Sequence, residues 1–562
     1  MWSGLGFSQT DQELVHASLL GGNSFDYLGS IEKAFDGHFI AGSTFSENFP
    51  VTPLAYQEFY GGGEEDGFFG KVSEDGSIEF LSFIGGSNFD AVTSVAEVSE
   101  TSIVLVGITG SFDFPIQDAE NENHNGLISG WLAKFDTSNE LEWSTFVGGD
   151  GTIDRLIDVV TDSNDQIFVV GNTNSTDLGT SGTFQEQPDP ASTLSGFIGN
   201  WSTTGEEIWT SFFSGEGITS LESVALSPDG NTVYAVGFSD GGIVFEGNAH
   251  QPVNSGLSDV VLLAFSAENG SLVWGTYLGG ESFDNGQSIE VTETGLILIS
   301  GNTRSTQGIS SDTAIQPTLN GSEEDYFVAA FSDAGTRIWS TYFGGSQLDF
   351  SFSEVTVRGN EFYLSCSTSS SDMPIFGNPY AIEMSSGFLF PSSGIIAKFS
   401  MDGQPLWSTY TNSDYECASC TKISVGDDGS IMCGGFFFQD GFNSVCEDLI
   451  SPEAYQTTYG GGSNDAALFI FQDNTLSTTF TQAEPLKIYP NPAQDFITIE
   501  APDLLWAGME LTVADLSGRT VDRVARFQSG NAYSTSHLAD GVYILTGQIG
   551  ERMFREKMVV QR

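Results

Sequence analysis

Apolar and polar residues alternate in short runs along most of this chain, and the runs stop at glycines or Asp-Gly pairs. They come in sets. In one set Ser288 to Val291 alternates, a tight turn follows, and a second run, Leu296 to Gly301, ends in glycine. A long polar loop comes next. In other sets this loop carries Phe49-Pro50, Phe114-Pro115 or Met373-Pro374. A third run, Asp325 to Phe331, leads through a short turn to Trp339-Ser340-Thr341-Tyr342. Period-two patterning with turns such as Asp75-Gly76, Asp229-Gly230 and Asp428-Gly429 predicts antiparallel hairpins of four strands per set.

The sets repeat. Trp143 to Gly149 (Trp-Ser-Thr-Phe-Val-Gly-Gly) returns as Trp274 to Gly280 and as Trp339 to Gly345, with weaker copies at Phe80, Trp209, Trp407 and His16. The first glycine of each pair, or its replacement, falls at 21, 85, 148, 214, 279, 344 and 411, a spacing of 63–67 residues. Seven four-stranded units predict an all-β, seven-bladed β-propeller. The last unit has a third strand, Ala466 to Phe471, with no Trp-Ser-Thr-Tyr strand after it, while Glu13 to Leu20 is an orphan fourth strand at the other end. The expectation is that the N-terminal strand completes the last blade and leaves no open edge. The Trp-Ser-Thr-Tyr-x-Gly-Gly, Phe-Pro and Asp-x-Phe-Val-Ala strings, with Gly130 to Phe135 and Asp325 to Phe331, resemble the SBBP-type propeller repeat over about residues 13–474. The resemblance implies a fold and says little of activity.

Charge separates a second region. The chain carries 75 acidic and 17 basic residues, a formal net charge of −58, yet from Lys487 onward eight basic residues nearly balance nine acidic ones. Pro485, Pro490 and Pro492 mark the step, so residues 475–485 read as a linker and 486–562 as a small Ig-like β-sandwich. This region resembles the type A C-terminal sorting domain of the type IX secretion system of Bacteroidota. The match rests on Tyr489, Pro490, Asn491, Pro492, Gly518, Gly541, Val542, Tyr543 and Lys557. The resemblance implies export by the type IX machinery and a secreted or outer-membrane surface-attached product. Residues 1–12 read as a leader or the tail of a signal peptide whose true start lies upstream. The acidity excludes a nucleic-acid partner, and no apolar run is long enough for a membrane helix.

Candidate chemistry is sparse. Asp26, Asp90, Asp154, Asp284, Asp349 and Asp414 each follow a Gly-Gly loop. They read as caps of their own backbone, with a calcium-binding ring of carboxylates as the alternative. Gly237-Phe-Ser239-Asp-Gly241 fits a serine-hydrolase string but aligns with Gly171-Asn-Thr-Asn-Ser175, so it belongs to the repeat. Oxidising export favours disulfides, and a bridge from Cys417 or Cys420 to Cys446 is expected, with Cys366 and Cys433 as buried thiols. The repeated tryptophans read as packing between blades. No catalytic constellation stands out. The reading is a cell-surface or secreted binding or adhesion module for a glycan or extracellular protein. The alternatives are a polysaccharide hydrolase or lyase using channel carboxylates, and a structural surface-layer component.

Overall fold

The structure, a computed structural model, describes residues 10–99, 101–247, 249–321, 323–384, 393–411, 419–426, 428–437, 449–475, 487–489, 493–500, 509–515, 520–527, 532–539, 541–549 and 552–561. The chain divides into two compact units, Met1–Asn474 and Thr475–Arg562. Both are built of β-strands, and none of the described residues forms an α-helix.

The first unit contains seven sets of four antiparallel strands. The first set is Asp26–Ala34, Gly37–Thr44, Asp66–Val72 and Ile78–Ile84, paired in chain order. The next five repeat the pattern, opening with Asp90–Ser99, Asp154–Thr161, Gly217–Leu226, Asp284–Val291 and Ser353–Arg358. A short parallel pairing, Ser192 with Gly217 and Leu194 with Ile218, joins the third set to the fourth. The seventh holds Lys422–Val425, Ser430–Phe437 and Asp465–Asp473, and its outer strand is Gln12–Leu20 from the far end of the sequence, in register from Gln12 with Asp473 to Leu20 with Ala466.

Strand starts lie earlier than alternation suggests. Asp284–Val291 begins four residues before the run at Ser288, because a bulge between Gly286 and Ser288 breaks the period. The same shift occurs at Leu28/Ser30, Val92/Ser94, Leu156/Asp158 and Leu221/Ser223.

The first strand of each sheet lies against the first strand of the next, and the seventh lies against the first. Seven apolar clusters fill the spaces, one between each neighbouring pair. Leu20, Met432, Leu468 and Ile470 of the seventh sheet pack with Leu28, Ile31, Ile40, Phe68 and Phe83 of the first. Tryptophans latch neighbours together. The indole N–H groups of Trp143, Trp209, Trp274 and Trp339 donate to the carbonyls of Thr203, Ala267, Asp333 and Met401, in the last hairpin of the following sheet, at 2.9–3.0 Å. Each ring lies on a glycine of that hairpin: Gly205, Gly270, Gly335 and Gly403, all at positive φ. At the seam His16 stands in for tryptophan and packs on Gly76. The tryptophans are thus packing residues, though Trp274 is only partly buried.

In the second unit Lys487–Tyr489, Phe496–Glu500 and Ala532–Ser534 form one sheet, and Thr520–Phe527, Met509–Asp515, Gly541–Ile549 and Arg552–Val560 form another. Ile497, Ile499 and Tyr533 of one share a core with Leu511, Val513, Leu545 and Met558 of the other.

Candidate functional site

The Gly-Gly loops leave the fourth strands and meet, on one face, the loops that follow the second strands of the next sheets. Asp26 sits beneath this junction, fully buried. It accepts the Gly22 N–H at 2.8 Å, the Ser46 hydroxyl at 3.0 Å and the Thr44 hydroxyl. Asp90, Asp154, Asp284 and Asp349 repeat the arrangement with Thr109 and Ser111, Thr173 and Ser175, Thr303 and Ser305, and Thr368 and Ser370. Burial raises Asp26, Asp90 and Asp349 to about 6. The caps differ from the expected Asx-turn: each carboxylate reaches back to the glycine before it and across to the end of the neighbouring second strand of its own hairpin. The Gly-x-Thr-x-Ser string in the repeat supplies the partners. Asp414 lies outside the described residues.

A second aspartate joins four of these junctions. Asp66, Asp259, Asp325 and Asp465 open third strands and accept loop N–H groups, as Asp325 does from Asn320 at 2.7 Å and Asp465 from Gly460 at 2.8 Å. The Oδ1 atom of each is buried with no hydrogen-bond partner. Burial raises Asp66, Asp325 and Asp465 to about 7 and Asp259 to about 6, with the charges of Asp90, Asp349, Asp26 and Asp284 adding to the effect in turn. Sequence reasoning missed these pairs, although the Asp-x-Phe-Val-Ala string marks half of each. Their donor set does not fit calcium. The capping carboxylates are filled by hydroxyl and amide donors, two acids per junction fall short of the six to eight oxygens calcium takes, and the described residues hold no group of three or more acidic, His or Cys side chains placed for a metal.

The first strands of all seven sheets converge. Two cavities, of about 630 and about 310 Å³, are each walled by the first strands of every sheet. Ser30, Ser94, Asp158, Ser223, Ser288 and Glu354 line both, so they form the neck between them. Bulges fall at this level in five of the sheets and turn Ser30, Ser94, Asp158, Ser223 and Ser288 inward. Asp158 accepts the hydroxyls of Ser94 and Ser223 at 2.7 and 2.9 Å and the Val224 N–H at 3.0 Å, and Glu354 accepts the Ile423 N–H at 2.7 Å.

The larger cavity is acidic, with Glu32, Glu97, Asp158, Glu290 and Glu354 against Lys33 and Arg358. Enclosure, and then the charges of Glu290, Asp158, Glu354 and Glu97, hold Glu32 well above the usual carboxylate range. Enclosure raises Glu290 to about 7, with Glu354 and Asp158 adding to it. The smaller cavity lies on the Gly-Gly side, where the first strands begin. Tyr27, Phe352 and Phe436 rim it, Glu222, Glu354 and Lys422 supply charge, and Asn285 and Gln287 supply amides. None of these cavity-lining residues was picked out by sequence reasoning. An acidic or hydroxyl residue just past each bulge was the available signal.

The cysteines correct one expectation. Cys420 pairs with Cys433, their Cα atoms 5.8 Å apart, so Cys433 is a disulfide half and not a thiol, and Cys420 is not joined to Cys446. Cys420 comes just before the short first strand of the seventh sheet, and Cys433 lies on the second strand, paired with Ile423. Cys366 is a buried thiol. Cys417 and Cys446 lie outside the described residues. Ser239 of the hydrolase-like string is buried against the Thr219 hydroxyl at 3.0 Å, inside the strand pair.

Of the sorting-domain positions, Tyr489 ends the first strand of its sheet and is half exposed. Tyr543 is buried and donates to the Ala539 carbonyl at 2.9 Å, Gly541 opens the same strand, and Lys557 pairs with Ile544 on the edge strand. Pro490, Asn491, Pro492 and Gly518 lie outside the described residues.

No curated protein matches the chain in sequence. Among solved structures, the extracellular domain of a hybrid two-component system from B. thetaiotaomicron is 10% identical with a TM-score of 0.38; it is matched over 98% of this chain, which spans only 60% of that one. Polysaccharide lyase Uly1 is 9% identical, with a TM-score of 0.40 over 82% of this chain and all of its own. A protein of unknown function from Dyadobacter fermentans is 8% identical, with a TM-score of 0.37 over 83% of this chain and all of its own. Likenesses this loose align no site. The C-terminal match is of another kind: residues 487–561 match the secretion system C-terminal sorting domain, which marks the protein for export to the cell surface or the medium through the type IX system.

Proposed function

We propose that residues 13–474 form a seven-bladed β-propeller of the SBBP-repeat type, closed by the N-terminal strand, and that it acts outside the cell as a binding or adhesion module. The neighbour-to-neighbour contacts of seven four-stranded sheets, returning from the last to the first, support the propeller. The observation that carries the function is the aromatic-rimmed cavity of about 310 Å³ at which all seven first strands converge, a size typical of ligand pockets. Residues 486–562, as a type A domain, hand the protein to the export machinery, and cleavage in the 475–485 linker releases it or transfers it to the surface. A screen of the whole protein against glycans and matrix proteins, in calcium and again in EDTA, tests the reading. It predicts a ligand lost on Phe352→Ala and kept in EDTA. Binding that ignores the rim would refute it.

A second reading follows from the larger cavity. A carboxyl group held near neutrality, as Glu290 is, can serve as a general acid toward a polysaccharide. Turnover of a polysaccharide panel that disappears with Glu290→Gln would establish this reading, and an inert panel would remove it.

A further inference from the structure

The smaller cavity has a definite chemical character. Phe352 stands at its rim, 58% exposed. The Phe436 ring lies 6.3 Å from Tyr27 and 6.0 Å from Phe25, and Phe45 packs on Phe25 at 5.6 Å, so the rim is an aromatic wall braced from behind. Tyr27 is held in place by its hydroxyl, which donates to Glu65 at 2.8 Å.

Below the rings the charged groups are mostly carboxylates. Glu222, Glu354 and Asp158 line the cavity against one ammonium, Lys422, which sits 3.8 Å from Glu354. Arg155 acts on Glu222 from outside the lining. Asn285 contributes an Oδ1 atom that is buried without a partner. Gln287 is already committed, donating to the Ser351 carbonyl at 2.8 Å and accepting the Ser353 N–H at 2.9 Å. Past the neck the larger cavity adds Glu32, Glu97 and Glu290. The region before Lys487 carries nearly all of the chain's net charge of −58. Such a field concentrates cations and repels polyanions.

Aromatic faces over carboxylates, with an amide oxygen left to accept, suit one kind of group. We propose that the cavity rimmed by Tyr27, Phe352 and Phe436 binds a protonated amine carried on a sugar or an aliphatic chain. The ammonium would lie against the ring faces and donate to Glu222 and Asn285, which makes the contact charge-assisted on one side and cation–π on the other. This inference rests on the binding-module reading above and narrows its ligand.

Calorimetric titration of the whole protein tests it, with three probes: the glucosamine disaccharide, its N,N′-diacetylated form, and spermidine. Glucosamine disaccharide should bind and the acetylated form should not. Spermidine binding as well would make any extended amine a ligand, whereas its failure would confine the site to amino sugars; either result supports the amine. Phe352→Ala and Glu222→Gln should each weaken binding about tenfold, the effect of losing one such contact. Phe352 is a surface ring, so its removal leaves the fold intact, and circular dichroism of each variant checks this. Equal binding of the acetylated sugar, lost on Phe352→Ala, would overturn the amine while sparing the cavity. Amine binding unchanged in both variants would mean diffuse attraction to an acidic protein and overturn the proposal, as would no binding of any probe.

Discussion

Single residues at the inter-sheet junctions bear more on this protein than the sequence disclosed. The glycines under the tryptophan rings are constrained twice, by positive φ and by contact. A methyl group on Gly403 would lie 2.8 Å from the Trp339 ring at φ +78°. Gly403→Ala should therefore cost about 1–3 kcal/mol in denaturant unfolding. A cost near zero would show that the ring can move aside. The aspartates make a prediction about pH. Asp66, Asp325 and Asp465 are held near 7 in the folded protein, well above an ordinary carboxylate. An acid whose folded pKa is raised binds its proton more tightly when folded. Its stabilising share is complete below the unfolded pKa and is lost as pH rises toward 7. The unfolding temperature should fall between about pH 4 and pH 7 and level off above that, and Asp325→Asn, which cannot ionise, should reduce that fall. A rising or flat profile would show that these acids ionise freely. The capping aspartates could be read from the sequence because each follows a fixed Gly-Gly signal. Their partner acids could not, because they sit at strand starts that one sheet's pattern does not bring together.

At the scale of strands and hairpins the repeat was legible and its fine register was not. Spacing gave the four-strand set, the orphan strand near residue 13 and its partner near residue 470, because alternation reports which side of a sheet is buried. The bulges after Leu28, Val92, Leu156, Leu221 and Gly286 broke that alternation and hid both the strand starts and the cavity-lining residues that follow. Gln12–Leu20 is the outer strand of the last sheet and also supplies the seam with the first, through Leu20 and His16. Deleting residues 11–22 should lower the unfolding transition of the whole unit as one step. Loss of a minor early phase alone would mean that the seam is dispensable. The Cys420–Cys433 bridge ties a 13-residue separation beside the shortest first strand, so reduction should cost roughly 2–4 kcal/mol. Sequence spacing drew attention to Cys417 and Cys420 as a pair, whereas the fold brings Cys433 to Cys420.

For the molecule as a whole, the address was the most readable property. Sorting-domain residues recur in order near the end of the chain, so the sequence alone identifies that region, and the family match over 487–561 agrees. The proposed ligand site was least readable, because its cavity is assembled from two to four residues out of each of seven sheets and has no local signature. The acidity that suits a secreted, Phe-rich sheet protein also sets the sign of the field at that site. The most direct test of this account is binding of the intact protein to an array of glycans and matrix proteins, run beside Phe352→Ala. The account predicts a defined set of ligands for the wild type, lost together in the variant with its fold preserved. The same ligands retained by Phe352→Ala would contradict it, and would move the site away from the place where the seven first strands meet.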